Sequence, residues 1–150
     1  VPSTTTPLRG ADLHAWLDRP SVVQDLKTYF GVGRPADEMP PVTGGWFEAI
    51  DGGGDRPAVA DVITAVDVLA VGALSVAIPA PAALDLVDGP VGRRLAALLP
   101  QIPVGVDLAG SEVLVVSDDG AAADFWRTVQ ELKGVGSVTA GKLLARSGPP

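Results

Sequence analysis

Leu132-Lys133-Gly134-Val135-Gly136-Ser137-Val138-Thr139-Ala140-Gly141-Lys142-Leu143-Leu144 decides how the rest of this chain is read. Upstream of it, Phe125, Val129 and Leu132 recur at helical spacing, so Gly120 is followed by a helix that runs through Leu132. Downstream, Ser137 to Arg146 reads as a second helix, and Gly148-Pro149-Pro150 is a stop signal. Between them, Gly134 and Gly136 permit positive φ and carry no Cβ to block a close approach. Val135 reads as an apolar plug turned inward. Ala140 is small enough for the helices to come close, and Leu143 and Leu144 return the second helix to the core.

Helical spacing continues outward from this hairpin. Ala11 to Leu17 is a short helix, and a second follows Pro20, carrying Val22, Val23, Leu26, Tyr29 and Phe30 until Gly31 ends it. Residues 33–45 hold three prolines and three glycines and read as a loop. Trp46, Phe47 and Ile50 come next, then the turn Asp51-Gly52-Gly53-Gly54-Asp55. Thr64-Ala65-Val66-Asp67 is a capping box with Asp in place of Glu, opening a helix with Val68, Leu69, Val71, Leu74 and Ser75. That helix is apolar nearly all round and belongs at the centre. Pro79 and Pro81 break it, shorter helices follow at Ala82 to Val87 and Val91 to Leu99, and Pro100 and Pro103 stop the latter. Val113-Leu114-Val115-Val116 has strand propensity but no partner strand. The expectation is an all-α fold: residues 1–8 a disordered tail and 9–150 a single, compact multi-helix domain with few or no strands.

Composition narrows the function classes. The chain has 150 residues, enough for one sizeable core. Apolar residues make up 47% and aromatics only 5%, which points to a core of Ala, Val and Leu. Eleven Lys and Arg against 18 Asp and Glu give −7, which excludes a uniformly basic nucleic-acid coat and a polybasic membrane anchor. No Cys means no disulfide, thiolate metal site or thiol nucleophile, and a single His (His14) excludes a multi-histidine metal site in a monomer. No metal or cofactor is therefore expected. The longest apolar run, Val68 to Ile78, is too short to span a bilayer, and the first residues lack a secretory pattern. A cytoplasmic protein with no membrane contact is the default.

The hairpin adds a chemistry of its own. Backbone N–H groups at Gly136, Ser137 and Val138 face outward from a helix start with partial positive charge, where a phosphate oxygen binds without sequence readout. Lys142 and Arg146, at i and i+4, share one face of the second helix, and Lys133 lies at the mouth of the bend. Charge placement agrees. Residues 1–120 hold 7 basic and 16 acidic residues, whereas 121–150 hold 4 basic and 2 acidic. The expected nucleic-acid-binding set is Lys133, Gly134, Val135, Gly136, Ser137, Val138, Lys142 and Arg146. Few phosphate contacts imply weak binding, about 10⁻⁴ M or poorer, with a log–log salt slope of roughly −1 to −2. The bland alternative is a tight connection between two packed helices, which a Gly-x-Gly serves equally well.

The segment from Gly134-Val135-Gly136 to Thr139-Ala140-Gly141-Lys142-Leu143-Leu144-Ala145-Arg146 resembles a helix-hairpin-helix, at about 121–147. Together with Phe47, Asp51-Gly52-Gly53-Gly54-Asp55-Arg56-Pro57 and the helix from Thr64 to Val76, it resembles an uncharacterised family found mainly in actinobacteria. Lys133 stands where many helix-hairpin-helix members carry Pro. More distantly, the hairpin is similar to that of base-excision DNA glycosylases. The resemblance places a catalytic Asp well beyond the hairpin glycines, past Pro150, and a Lys nucleophile of bifunctional members at the position of Val138. It implies related chains that continue past Arg146, so this one reads as a fragment or a curtailed product, with no catalytic residue of its own.

Other motifs carry weaker signals. The Asp51–Asp55 loop lacks the Lys-Ser/Thr of a P-loop and the ligand pattern of an EF-hand, so a structural turn with Asp55–Arg56 capping a neighbour is favoured. Asp118-Asp119-Gly120 reads as a helix start, not a metal site. His14 has no Ser and carboxylate at a spacing that marks a triad. Trp16, Trp46 and Trp126 read as core anchors, and Arg93-Arg94 as a solvated face. Three functions follow: weak, sequence-independent contact with a nucleic-acid backbone such as DNA; a structural or protein-interaction domain; or a glycosylase-like fragment completed by downstream sequence.

Overall fold

Prolines and one Thr–Asp pair start most of the helices. The computed structural model describes residues 15–35, 38, 39, 41–54, 56–102 and 119–147. The described residues group into two compact units, one within 1–45 and one within 46–150. Among the described residues there is no strand, as the all-α expectation requires. The strand-prone segment 113–116, His14 and the tail at 1–8 lie outside the described residues.

In the first unit, α1 (Pro20–Tyr29) places Pro20 in its first turn, where a missing N–H costs nothing, and Gly31 follows with φ of 66°. Only Val22 of this helix is buried; Val23, Leu26 and Phe30 are exposed. Trp16, read as a core anchor, is exposed as well.

The second unit is built from α2 (Ala65–Ala73), α3 (Ala80–Val87), α4 (Pro90–Leu98), α5 (Ala121–Gln130) and α6 (Ser137–Ser147). The capping box at the start of α2 is complete. Thr64 Oγ1 accepts from the Asp67 amide at 3.2 Å, and Asp67 Oδ2 accepts from the Thr64 amide at 2.8 Å. Leu74 closes α2, and Ser75 turns the chain away with φ of 60°. Pro79 and Pro81, expected to break α2, lie beyond its end at Ala73 and instead start α3: Pro79 is its N-cap and Pro81 lies in its first turn. The α3–α4 corner is held by Asp85, whose Oδ1 accepts from the Val91 amide at 2.9 Å.

Packing runs α3 on α4, α4 on α5, α5 on α6, and α6 back onto α2. Ala70, Val71, Leu86, Leu95, Phe125, Val129, Ala140 and Leu143 are fully buried where these faces meet. The core is aliphatic as the composition requires, with Phe125 and Phe47 as its two aromatic members. Trp126 is half-buried against it. α6 therefore occupies the position that places the hairpin: one end on the surface, the other under residues 47–54.

Candidate functional site

The bend between α5 and α6 is set by Leu132 and Val135. Both are buried, and the Val135 amide donates to the Leu132 carbonyl at 3.1 Å. Val135 is thus the inward plug that its apolar side chain predicts. Gly134 has φ of 82°, and a Cβ there would lie 2.9 Å from Pro79 Cγ, so backbone conformation and space both demand glycine. Gly136 differs. A Cβ on it would meet nothing within 4 Å, and its φ is not positive, so the close approach expected at this position is absent.

Openness at Gly136 matters for the amides. The Gly136 carbonyl accepts from the Ala140 amide at 3.0 Å, which makes Gly136 the residue at which α6 begins. The amides of Gly136, Ser137 and Val138 have no acceptor among the described residues, and all three residues are exposed, Val138 at 64%. That is the ordinary condition of a helix start, carrying its fraction of positive charge. Lys133 beside them is exposed and makes no ion pair among the described residues. The carboxylate nearest the bend in sequence, Glu131, pairs with Arg94, and this hydrogen bond raises the Arg94 pKa above its ordinary value.

The other two predicted cations are not on that surface. Lys142 Nζ donates to the Leu74 carbonyl at 3.0 Å and so closes the C-terminal end of α2. Arg146 is only 2% exposed and Asp67 1%. Arg146 Nε donates to Asp67 Oδ1 at 3.1 Å, Nη2 donates to the Ile50 carbonyl at 2.7 Å, and Nη1 donates to the Phe47 carbonyl. Asp67 serves two partners at once, Oδ2 for the capping box and Oδ1 for Arg146. Arg146, expected with Lys133 among the phosphate ligands, is thus buried and hydrogen-bonded inside the protein. The i, i+4 geometry of Lys142 and Arg146 is real, but the shared face points into the protein.

The Asp51 loop finds its purpose here. Asp51, Gly52 and Gly53 all have positive φ, and Arg56 holds the turn closed, donating from Nε to the Gly53 carbonyl at 3.1 Å and pairing with Asp51 through Nη2. Gly54 then passes so close to α6 that a Cβ would lie 2.2 Å from the Arg146 carbonyl. The sequence predicts a structural turn, with Asp55–Arg56 capping a neighbour. Arg56 does close the loop, with Asp51 as its partner, and Asp55 lies outside the described residues. No group of three or more metal-ligating side chains occurs among the described residues.

Sequence reasoning missed the Asp67–Arg146 pair because 79 residues separate its members. One signal could have found it. The buried residues of α6 are Thr139, Ala140, Leu143, Arg146 and Ser147, a helical stripe in which Arg146 lies at i+3 from Leu143. A charged residue on an apolar stripe needs a buried counter-charge, and Asp67 is the acidic residue within the most apolar helix.

Fold and site together define a helical domain closed by a C-terminal hairpin whose inner face is ion-paired to the start of α2. The chain belongs to a family of unknown function, DUF6308, whose model matches residues 22–150. No curated protein and no solved structure matches it. No helix among the described residues is long and apolar enough to cross a membrane.

Proposed function

We infer that this chain is a helical interaction or scaffold domain in which the C-terminal hairpin works first as a packing element. The observation that supports it is Arg146, a residue of the hairpin's positive set that sits in the core against Asp67 and two backbone carbonyls. A surface built for a polyanion keeps its cations in water, where phosphates reach them. Here one is buried and another, Lys142, is spent on the end of α2. Pairing of this face with an acidic residue is what distinguishes a structural hairpin from a phosphate-binding one.

A second reading, weak and sequence-independent contact with a nucleic-acid backbone, is favoured by the unpaired amides of Gly136, Ser137 and Val138 beside exposed Lys133. The helix-hairpin-helix resemblance belongs to this reading. With Arg146 and Lys142 engaged inside the protein, the salt slope falls to about −1. Fluorescence anisotropy of a labelled duplex, titrated with the full chain at several salt concentrations, separates the two. The interaction-domain reading expects no rise in anisotropy at any salt. A rise with a slope near −1, abolished by Lys133→Glu and by Gly136→Asp in variants that keep their helical circular dichroism, replaces it with the polynucleotide reading.

A further inference from the structure

Residues 46–54 contain no α-helix, only the end of the 3-10 turn Thr43–Trp46 and the 3-10 turn Ile50–Gly52, and the backbone hydrogen bonds within them are local turns. They are nevertheless held against α6 in two ways. Phe47 and Ile50 turn their side chains into the core, and their carbonyls accept from the Arg146 guanidinium. At the far end the chain reverses through three successive residues of positive φ before Gly54 meets the Arg146 carbonyl region. Within the same segment the Trp46 Nε1 donor is buried without an acceptor among the described residues, a cost that opening relieves. A stretch with few hydrogen bonds of its own and one shared polar anchor is the kind that opens as a unit below global unfolding.

We propose that residues 46–54 form a strap latched by Arg146, and that strap and last turn of α6 release together while α3, α4 and α5 stay packed. Because one planar guanidinium serves both strap carbonyls and Asp67, the latch is shared: a point charge cannot span the three acceptors. Releasing the strap uncovers the inner face of α6 at Arg146 and Ser147, both buried in the closed state.

Hydrogen exchange of the full chain, followed residue by residue, tests this in the wild type and in Arg146→Lys. Amides of Ala49, Gly52 and Gly53 are expected to exchange about 10-fold faster or more in the variant, the scale of one charged hydrogen bond lost. Amides of α4 that open only on global unfolding lose protection by the same factor, so independence is read in the wild type, where strap amides must show lower protection and a smaller urea dependence than α4 amides. Unchanged strap amides in the variant, or equal urea dependence of strap and α4 amides in the wild type, overturns the proposal. Should Arg146→Lys fail to fold, the wild type in sub-denaturing urea decides. Strap amides must then show a smaller urea dependence than α5 amides, and an equal dependence overturns the proposal.

Discussion

Two halves of one hairpin meet opposite fates. At the bend, residues 133–138 are exposed except for the plug Val135, and the amides of Gly136, Ser137 and Val138 find no acceptor among the described residues. One to three turns further along, Thr139, Ala140, Leu143, Arg146 and Ser147 are buried, and the helix's last cation is a core residue. The same run of residues thus provides both an open helix start and an internal ion pair. A basic residue in a motif reports charge; whether that charge faces water depends on the stripe it occupies.

The comparison breaks most severely at Arg146. Removing one member of a buried ion pair leaves the other uncompensated, at a cost of roughly 3–5 kcal/mol. Arg146→Met is therefore expected to lower the urea midpoint of unfolding by the largest margin of any hairpin substitution, because Asp67 and two carbonyls lose their donor. Adding Asp67→Leu should return part of the loss by removing the stranded carboxylate, though the capping box goes with it. A stability loss no greater in Arg146→Met than in an exposed control such as Lys133→Met would mean that the guanidinium is not buried in solution.

The two glycines sharpen the contrast within the bend itself. Gly134→Ala forces a side chain into positive φ and against Pro79 Cγ, so a loss of about 1–3 kcal/mol is expected. Gly136→Ala meets open space and ordinary φ, and only the weaker preference for Ala at a helix start opposes it, at under about 1 kcal/mol. Parallel urea titrations of the two variants measure the difference directly. Equal losses would show that both glycines serve the turn, contrary to the open surroundings of Gly136.

How much of this was legible follows from the range over which each interaction acts. Helix starts rest on neighbours: Pro20 and the Thr64–Asp67 box lie within one turn of what they cap, so they could be read directly. The plug at Val135 and the glycine at 134 were readable for the same reason. Pro79 and Pro81 read as breakers of α2, yet α2 already ends at Ala73 and the two prolines instead start α3. The Arg146 latch was not read, since its partners Asp67, Phe47 and Ile50 come from segments 79 to 99 residues away.

Lys142 supplies the finest division of the hairpin, since it lies between the open bend and the buried end. Its ammonium closes the last turn of α2 through the Leu74 carbonyl, at a half-buried position. A helix end loses an acceptor's partner without it, but water can replace the donor at such a site. Lys142→Met keeps much of the apolar stem and removes only the charge and the donor. The expected loss is about 0.5–1.5 kcal/mol, well below that of Arg146→Met, since a partly solvated acceptor is re-hydrated while a buried carboxylate is not. Hydrogen exchange gives a second reading: amides at the end of α2, Ala73 and Leu74, should lose protection while those of α4 keep it. If the two variants lost equal stability, the gradient from surface to core along α6 would be wrong, and Lys142 would have to be counted with the latch.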